Sequence, residues 1–497
     1  MSNNFIDGNI PLEIGNTSAL KILNLRFNLL TGSMTPGIFN ISSLNVLDLS
    51  VNSLSGRLPE NTSDSIPKLT LLDLSHNLLS EKIPSNIYKC RYLQVLSLSY
   101  NHFNGSIPSA IGSLTNLRSL FLGINDWEGR IPLELGNLSR LEILSIQGGS
   151  LTGPIPSLNI SSLKVLYLRK LKTSLDSREL PDELGNLDPE EVLVQNNGFF
   201  GTIPLSMFNK STMKKMGLSA SQFSGHLPST IGISLPNLEK LGLGDNRLTG
   251  VIPTSITNAS KLTILYMGSN SLTGSIPNFG NLRLLERLII GENNLTGESS
   301  TPELRFFSSL TNCRHLDCIE VSLNQLNGIL PASIWNLSAS LQVFKAFGCN
   351  IKGAIPAEIG NLSSFVALYL DNNQLTGFIP SSLGNLRRVE RIYLEHNKLD
   401  GYIPAELCPL SNLGDLYLSN NTLYGSIPTC LGKLKFFIRL YLDSKKLEST
   451  VPLSLWNLND LLELNLSSEQ FNGPLTFGDS KFEGHQQTRF IMESVIR

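Results

Sequence analysis

The chain opens on MSNNFIDGNIPLEIGN, which has neither the basic flank nor the apolar run of a secretory leader. No stretch approaches the roughly 18 consecutive apolar residues of a membrane-spanning helix, so no insertion of this chain into a membrane is expected. Aromatic residues are only 7% of the whole against 41% apolar, which leaves an aliphatic core as the one available. The six cysteines, Cys90, Cys313, Cys318, Cys349, Cys408 and Cys430, are too few and scattered for a disulfide framework or a zinc site. With 39 basic against 41 acidic residues the formal charge is -2, and no long-range pull toward nucleic acid or an anionic membrane follows. Catalytic templates are missing too: no nucleophile elbow, no H-E-x-x-H, no Walker loop and no kinase set of Gly-rich loop, H-R-D and D-F-G. The histidines, His76, His226 and His396 among them, fall in unrelated positions and suggest no metal cluster. An enzyme, a metal site and a cofactor are all unexpected.

What the sequence has is repetition. At 497 residues an ordinary chain would divide into several domains, but a fixed internal period overrides that expectation. The Gly of Gly-x-Ile/Val/Leu-Pro marks the phase, from Gly8, Gly32 and Gly56 through Gly250 and Gly274 to Gly401, Gly425 and Gly473. Glu81, Arg178, Gly297 and Ser449 hold the same phase in degenerate units, so about 20 units follow one another in steps almost always of 23 to 25 residues. Upstream of each marker stands L-x-x-L-x-L-x-x-N-x-L, as in Leu44, Leu47, Leu49, Asn52 and Leu54. The alternation in its middle predicts a short strand with Leu inward. The recurrent Asn (28, 52, 77, 101, 125 and on to 421, with Asn4 in the same phase) is predicted to turn inward and bond backbone groups of adjacent coils. Unpaired, such buried groups would cost about 1 to 3 kcal/mol each. Gly then permits a sharp turn, Pro suits a segment outside the main ladder, and x-x-L-G-N-L is too short for more than a helical turn or a 3₁₀ piece.

Each unit is therefore one coil of parallel strand, turn and short return. A lone coil cannot offset its backbone entropy, so the fold is expected only as a stack. The solenoid is expected over 1–475, irregular at 169–190 and 298–312, with 476–497 a tail outside the repeat. A decayed repeat is the simpler reading of both irregular stretches; an insertion at a binding face is the alternative.

The motif L-x-x-L-x-L-x-x-N-x-L-x-G-x-I-P-x-x-L-G-N-L resembles the ectodomain repeat of plant leucine-rich-repeat receptor-like kinases. The segments TNCRHLDCIEVSLNQLNGILPASIWNLSASLQ and IPAELCPLSNLGDLYLSNNTLYGSIPTCLGKL are similar in particular to the branch containing receptors for bacterial flagellin and elongation factor. The resemblance implies an α/β leucine-rich-repeat solenoid: a right-handed superhelix with a parallel sheet on its concave face. It implies a location at the extracellular face of the plasma membrane, a peptide or protein ligand and a co-receptor that itself carries leucine-rich repeats. It also implies a span and a cytoplasmic Ser/Thr kinase elsewhere in the full-length relative. The family's cysteine-paired caps and leader are not seen here, so the chain reads as truncated at both ends. A stand-alone secreted binding or inhibitor protein and a non-functional gene fragment are the alternatives.

Between the two inward Leu of each strand one residue faces solvent. There Tyr266 is followed by Tyr369, Tyr393, Tyr417 and Tyr441 in four successive coils, an expected aromatic ladder on the concave strip. Two residues further along sit Asp371, Glu395 and Asp443, and two residues before the Tyr sit Arg391 and Arg439. Tyr and Arg are favoured anchors for peptide recognition, although Tyr also has good strand propensity. Relatives that bind peptide carboxylates often carry paired arginines on one strand; the arginines here are single, so that ligand class is not assumed. Sequons for N-glycosylation stand at Asn16, Asn40, Asn61, Asn104, Asn137, Asn159, Asn209, Asn258, Asn294, Asn336, Asn361, Asn420 and Asn465, many of them in the return segment. Cys408 and Cys430 lie on the returns of adjacent coils, where a disulfide and a buried free pair are both admissible, and Cys349 replaces Asn in its coil.

Overall fold

The computed structural model describes residues 2–59, 66–158, 160–171, 179–443, 446–449, 451–467, 470–471 and 489–491. Two compact units are formed, Met1–Arg247 and Leu248–Arg497. Each is a stack of coils, and the strands of successive coils pair in parallel. In the first unit the main sheet runs through Ile22–Asn24, Val46–Asp48, Leu71–Asp73, Val95–Ser97 and Ser119–Phe121. In the second it includes Val343–Lys345, Ala367–Tyr369, Arg391–Tyr393, Asp415–Tyr417, Arg439–Tyr441 and Glu463–Asn465. The Leu residues of the motif are the core: Leu44, Leu47, Leu49, Leu54, Leu238, Leu241 and Leu243 are all fully buried. Parallel pairing repeats one register from coil to coil, so each motif position becomes a row across the sheet.

The Asn row closes the main sheet as the motif predicts. Asn101 donates from Nδ2 to the carbonyls of Leu74 (3.0 Å) and Leu98 (3.2 Å) and accepts from the Leu79 amide (3.0 Å). Asn397 repeats this in the second unit with Leu370, Leu394 and Leu375. Asn4, though exposed, keeps a contact of the row: it donates to the Ser2 carbonyl (3.0 Å) as Asn28 does to that of Arg26. The Cys349 thiol takes over the donor role, at 3.2 Å from the Val321 carbonyl and 3.4 Å from that of Phe347. Where Gly149 replaces Asn, the indole Nε1 of buried Trp127 reaches the Leu122 carbonyl (2.6 Å). In that coil and the next, where Leu171 stands in the Asn phase, the strands Ile143–Gln147 and Val165–Arg169 run five residues and pair along their whole length. Without a side chain to cap the carbonyls, the backbone continues the ladder instead.

The segment after the Asn is more ordered than a turn. Ser55–Gly56, Leu78–Glu81, His102–Ser106, Asp126–Arg130 and Ser150–Thr152 form a second parallel sheet in the first unit, and Lys352–Gly353 through Gln470–Phe471 form one in the second. The marker Gly sits in it with positive φ, +70° at Gly105 and +86° at Gly401. A Pro-terminated stretch can still pair through the residues before the Pro, which is why reading Gly-x-Ile-Pro only as punctuation missed a strand. The returns are the expected 3₁₀ turns, such as Leu133–Asn137 and Ser381–Asn385.

Of the irregular stretches, 172–178 lie outside the described residues, while 298–312 contains a short helix, Arg305–Ser309, and a 3₁₀ turn, Leu310–Asn312. Phe306, Phe307 and Leu310 are buried, and Phe307 packs 5.5 Å from Phe344. The added residues thus supply core. Beyond the expected end of the repeat, Arg489–Ile491 pairs in parallel with Glu463–Asn465, so the segment read as a tail outside the repeat adds a strand to the main sheet.

Candidate functional site: the tyrosine strip of the second unit

The ladder assembles as the register dictates. Tyr369 pairs with Tyr393, Tyr393 with Tyr417 and Tyr417 with Tyr441 across neighbouring strands. Their ring centroids are 4.7, 4.4 and 4.4 Å apart, the first contact edge-on and the last stacked. All four rings are half-buried. Lys345, one coil earlier in the same row, places its ammonium 5.4 Å from the Tyr369 centroid.

The arginines do not stand free. Between Arg391 and Arg439 in their row is Asp415, a residue the motif reading passed over. It is only 4% exposed and lies 3.7 Å from Arg391 Nε and 3.3 Å from Arg439 Nη1. The Tyr393 hydroxyl donates to the same carboxylate (3.2 Å), and Arg439 also meets Glu463 at 3.7 Å. Tyr441 donates to Glu463 (2.6 Å). The expectation that the two arginines are open anchors is therefore revised: their charges are met within the protein. Charge alternation down this row, Arg391, Asp415, Arg439, Glu463, was the signal available in the sequence. Burial, and then the neighbouring carboxylates, push the Tyr393 and Tyr441 phenols above their ordinary range, so both remain neutral donors.

The acidic row is different. Asp371 is 8% exposed; Asn372 Nδ2 donates to its Oδ2 (2.8 Å), while its buried Oδ1 has no partner among the described residues. Glu395 is half-buried beside it, since the Asn372 amide bonds the Glu395 carbonyl (2.9 Å). Asp443 accepts from Ser419 and from Asn465 Nδ2 (3.0 Å). Among the described residues no Lys, Arg or His lies within ion-pair distance of these three carboxylates. Burial raises the Asp371 and Glu395 carboxyls above the ordinary range, and for Glu395 the Asp371 charge adds to it; His396 pulls both down by less.

The first unit carries a contrasting face. Arg118–Glu142 (2.5 Å), Lys164–Glu142 (2.8 Å), Lys214–Glu190 (2.7 Å) and Lys215–Glu191 (2.7 Å) join strands across coils, and Tyr167 donates to Glu191. Exposed pairs of this kind are worth little individually, but they leave that face internally neutralised.

Elsewhere, Cys408 and Cys430 are joined through their sulfurs with Cα atoms 5.6 Å apart, the bonded alternative of the two admitted by the sequence. Among the sequons, Asn16, Asn40, Asn137, Asn209, Asn258, Asn336 and Asn361 are exposed and end or cap 3₁₀ returns. Asn104 lies in a second-sheet strand, Asn294 opens the strand Asn294–Thr296, Asn420 follows the main strand, and half-buried Asn465 sits in the tyrosine row. Asn61 and Asn159 lie outside the described residues.

Comparison with known proteins places this architecture. The leucine-rich-repeat family pattern matches residues 18–79, 236–295 and 363–423, with a related single-repeat pattern at 92–114. A probable LRR receptor-like serine/threonine-protein kinase of Arabidopsis thaliana is 38% identical over 143 residues, which are 29% of this chain and 14% of that relative, so the chain spans a small part of the relative's length. The plant peptide hormone receptor RGFR1, solved in complex with RGF2, superposes with a TM-score of 0.83 at 31% identity, covering 95% of this chain and 78% of that one. The Arabidopsis receptor kinase HAESA, solved with the peptide hormone IDA and the co-receptor SERK1, gives 0.73 at 31% identity, with 95% and 86% covered.

Proposed function

The chain belongs to the leucine-rich-repeat ectodomains of plant receptors, and from that premise we propose that it is a ligand-recognition module whose tyrosine strip, Tyr369 to Tyr441, binds an extended peptide or a protein segment. The carrying observation is the ladder itself: four half-buried rings in van der Waals contact on an open strand face, with their hydroxyls held by Asp415 and Glu463 at two of four positions. Such rings offer large, rigid, amphipathic area with little rotamer entropy left to lose. In this reading Asp371, Glu395 and Asp443 face the ligand, while Arg391 and Arg439 position Asp415 and, through it, Tyr393.

By analogy with the HAESA complex, a co-receptor with leucine-rich repeats is the proposed second partner. The exposed sequons at the returns support an extracellular, glycosylated setting, because glycans there would leave the strand face clear. No part of the binding role calls for a cofactor, a nucleic acid or catalysis within this chain.

The test is selection of a phage-displayed random peptide library against the whole chain, followed by binding to the Tyr393→Ala/Tyr417→Ala variant. Enriched peptides that lose about tenfold or more in affinity for the variant support the reading. Failure to enrich any peptide, or enrichment indifferent to both tyrosines, contradicts it.

A further inference from the structure

The acids around the ladder divide into two kinds. Those in the tyrosine row and the arginine row are met by cations: Glu320 by Lys345 at 3.3 Å, Asp415 by Arg391 and Arg439, and Glu463 by Arg439. Among the described residues no cation meets the row two residues further along, although its first member is the deeply buried Asp371 with a carboxylate oxygen that none of them satisfies. Leaving a buried carboxylate oxygen unpaired destabilises a protein, and a fold that neutralises its acids two residues away does not lack the means to neutralise these. The arrangement makes physical sense once the missing partner comes from outside.

We propose that Asp371 and Glu395, with Asp443 further along the same row, form a subsite for a cationic side chain of the bound peptide, an arginine or lysine that lies against Tyr369 and Tyr393 as it reaches the carboxylates. The proposal rests on the reading of this face as a peptide site and specifies its ligand chemistry. Three observations meet here. The carboxylates of Asp371 and Glu395 are neighbours in register, held by the Leu370–Tyr393 and Asn372–Glu395 backbone bonds. The adjoining rings already accept one cation, that of Lys345 over Tyr369. The arginines that would repel a cation are neutralised by Asp415 on the opposite side of the ladder. A guanidinium entering between the acidic row and the rings would lie beside the Asp371 and Glu395 carboxyls and replace desolvated like charge with a charge-assisted pair. A peptide carboxylate at the same place would meet acids only.

The experiment uses the full chain and two synthetic probes, acetylated and amidated Trp-Gly-Arg-Gly-Trp and the same peptide with neutral, nearly isosteric citrulline for arginine, titrated by calorimetry. The expected result is that the arginine peptide binds about tenfold or more tighter, that Asp371→Asn/Glu395→Gln brings this ratio close to unity, and that Tyr393→Ala/Tyr417→Ala weakens both peptides. Glu395→Gln alone, at a half-buried position, provides a variant with less effect on packing and should lower the ratio partway. A ratio near unity in the unmodified chain, or one that survives neutralisation of both acids, overturns the cationic subsite. If both peptides then still depend on the tyrosines, the peptide-binding face stands without it; if neither peptide binds, the face reading falls as well.

Discussion

A β-branched side chain in the left-handed region crowds its own backbone, and among the described residues two stand there: Val51 at φ 57° and Ile124 at φ 56°. Both stand just before the structural Asn, where Asn196, Asn372 and Asn420 hold the same conformation in other coils. Exchanging Val51 for Asn removes the crowding and should raise stability by about 1 kcal/mol, read as a higher midpoint of thermal unfolding. Asp371 makes a second residue-level prediction. Its carboxyl is raised by burial, so the protonated form is the one the fold prefers. Stability from this group is present below its ordinary titration range and is lost as pH rises through the raised value. Unliganded protein should therefore lose stability from the ordinary carboxylate range upward, and Asp371→Asn should raise the neutral-pH midpoint and remove part of that slope. A midpoint lowered by Asp371→Asn at neutral pH would mean that the carboxylate is satisfied within the fold.

At the scale of the element, the Asn of each coil ties its own backbone to that of the coil before it. Asn101 accepts from the Leu79 amide and donates to the carbonyls of Leu74 and Leu98; Asn77 and Asn125 also donate to those two carbonyls, so Asn101→Leu would leave the Leu79 amide buried and unpaired at about 1 to 3 kcal/mol, partly offset by the added apolar contact. A lowering of the unfolding midpoint larger than that of any exposed substitution is expected. Trp127→Phe should cost about 1 kcal/mol through the Leu122 carbonyl alone, because Asn125 still donates to the same oxygen. These elements were legible from spacing: inward Leu, structural Asn, left-handed Gly and short return all follow from one motif. What the motif did not carry was anything set by pairs of non-motif residues in different coils. The second sheet needed the register, the Trp127 substitute needed the missing Asn at Gly149 to be matched with an indole 22 positions earlier, and Asp415 mattered only once two arginines were known to flank it.

For the whole molecule, the repeat makes the scaffold readable and the ligand obscure, since outward positions vary on an unchanged frame. The tyrosine row could be found because one residue type recurred four times in phase; the acidic row's lack of cations showed only in the structure. Secretion through a glycosylating pathway gives a separate check on orientation. Site-resolved mass spectrometry should find glycans on the exposed returns, at Asn16, Asn137, Asn258 and Asn361, and none at Asn465, whose amide is bonded to Asp443 in the tyrosine row. Occupancy at Asn465 would show that this face is covered rather than offered to a ligand.

The central claim, recognition on the tyrosine strip, is tested most directly by placing a photo-cross-linking benzoylphenylalanine at Tyr417 in one preparation and at an exposed return position, Glu358, in another, and exposing each to a selected peptide. Peptide captured at Tyr417 and not at Glu358 is the predicted result. Capture at Glu358 with none at Tyr417 would put recognition on the return side and contradict the account.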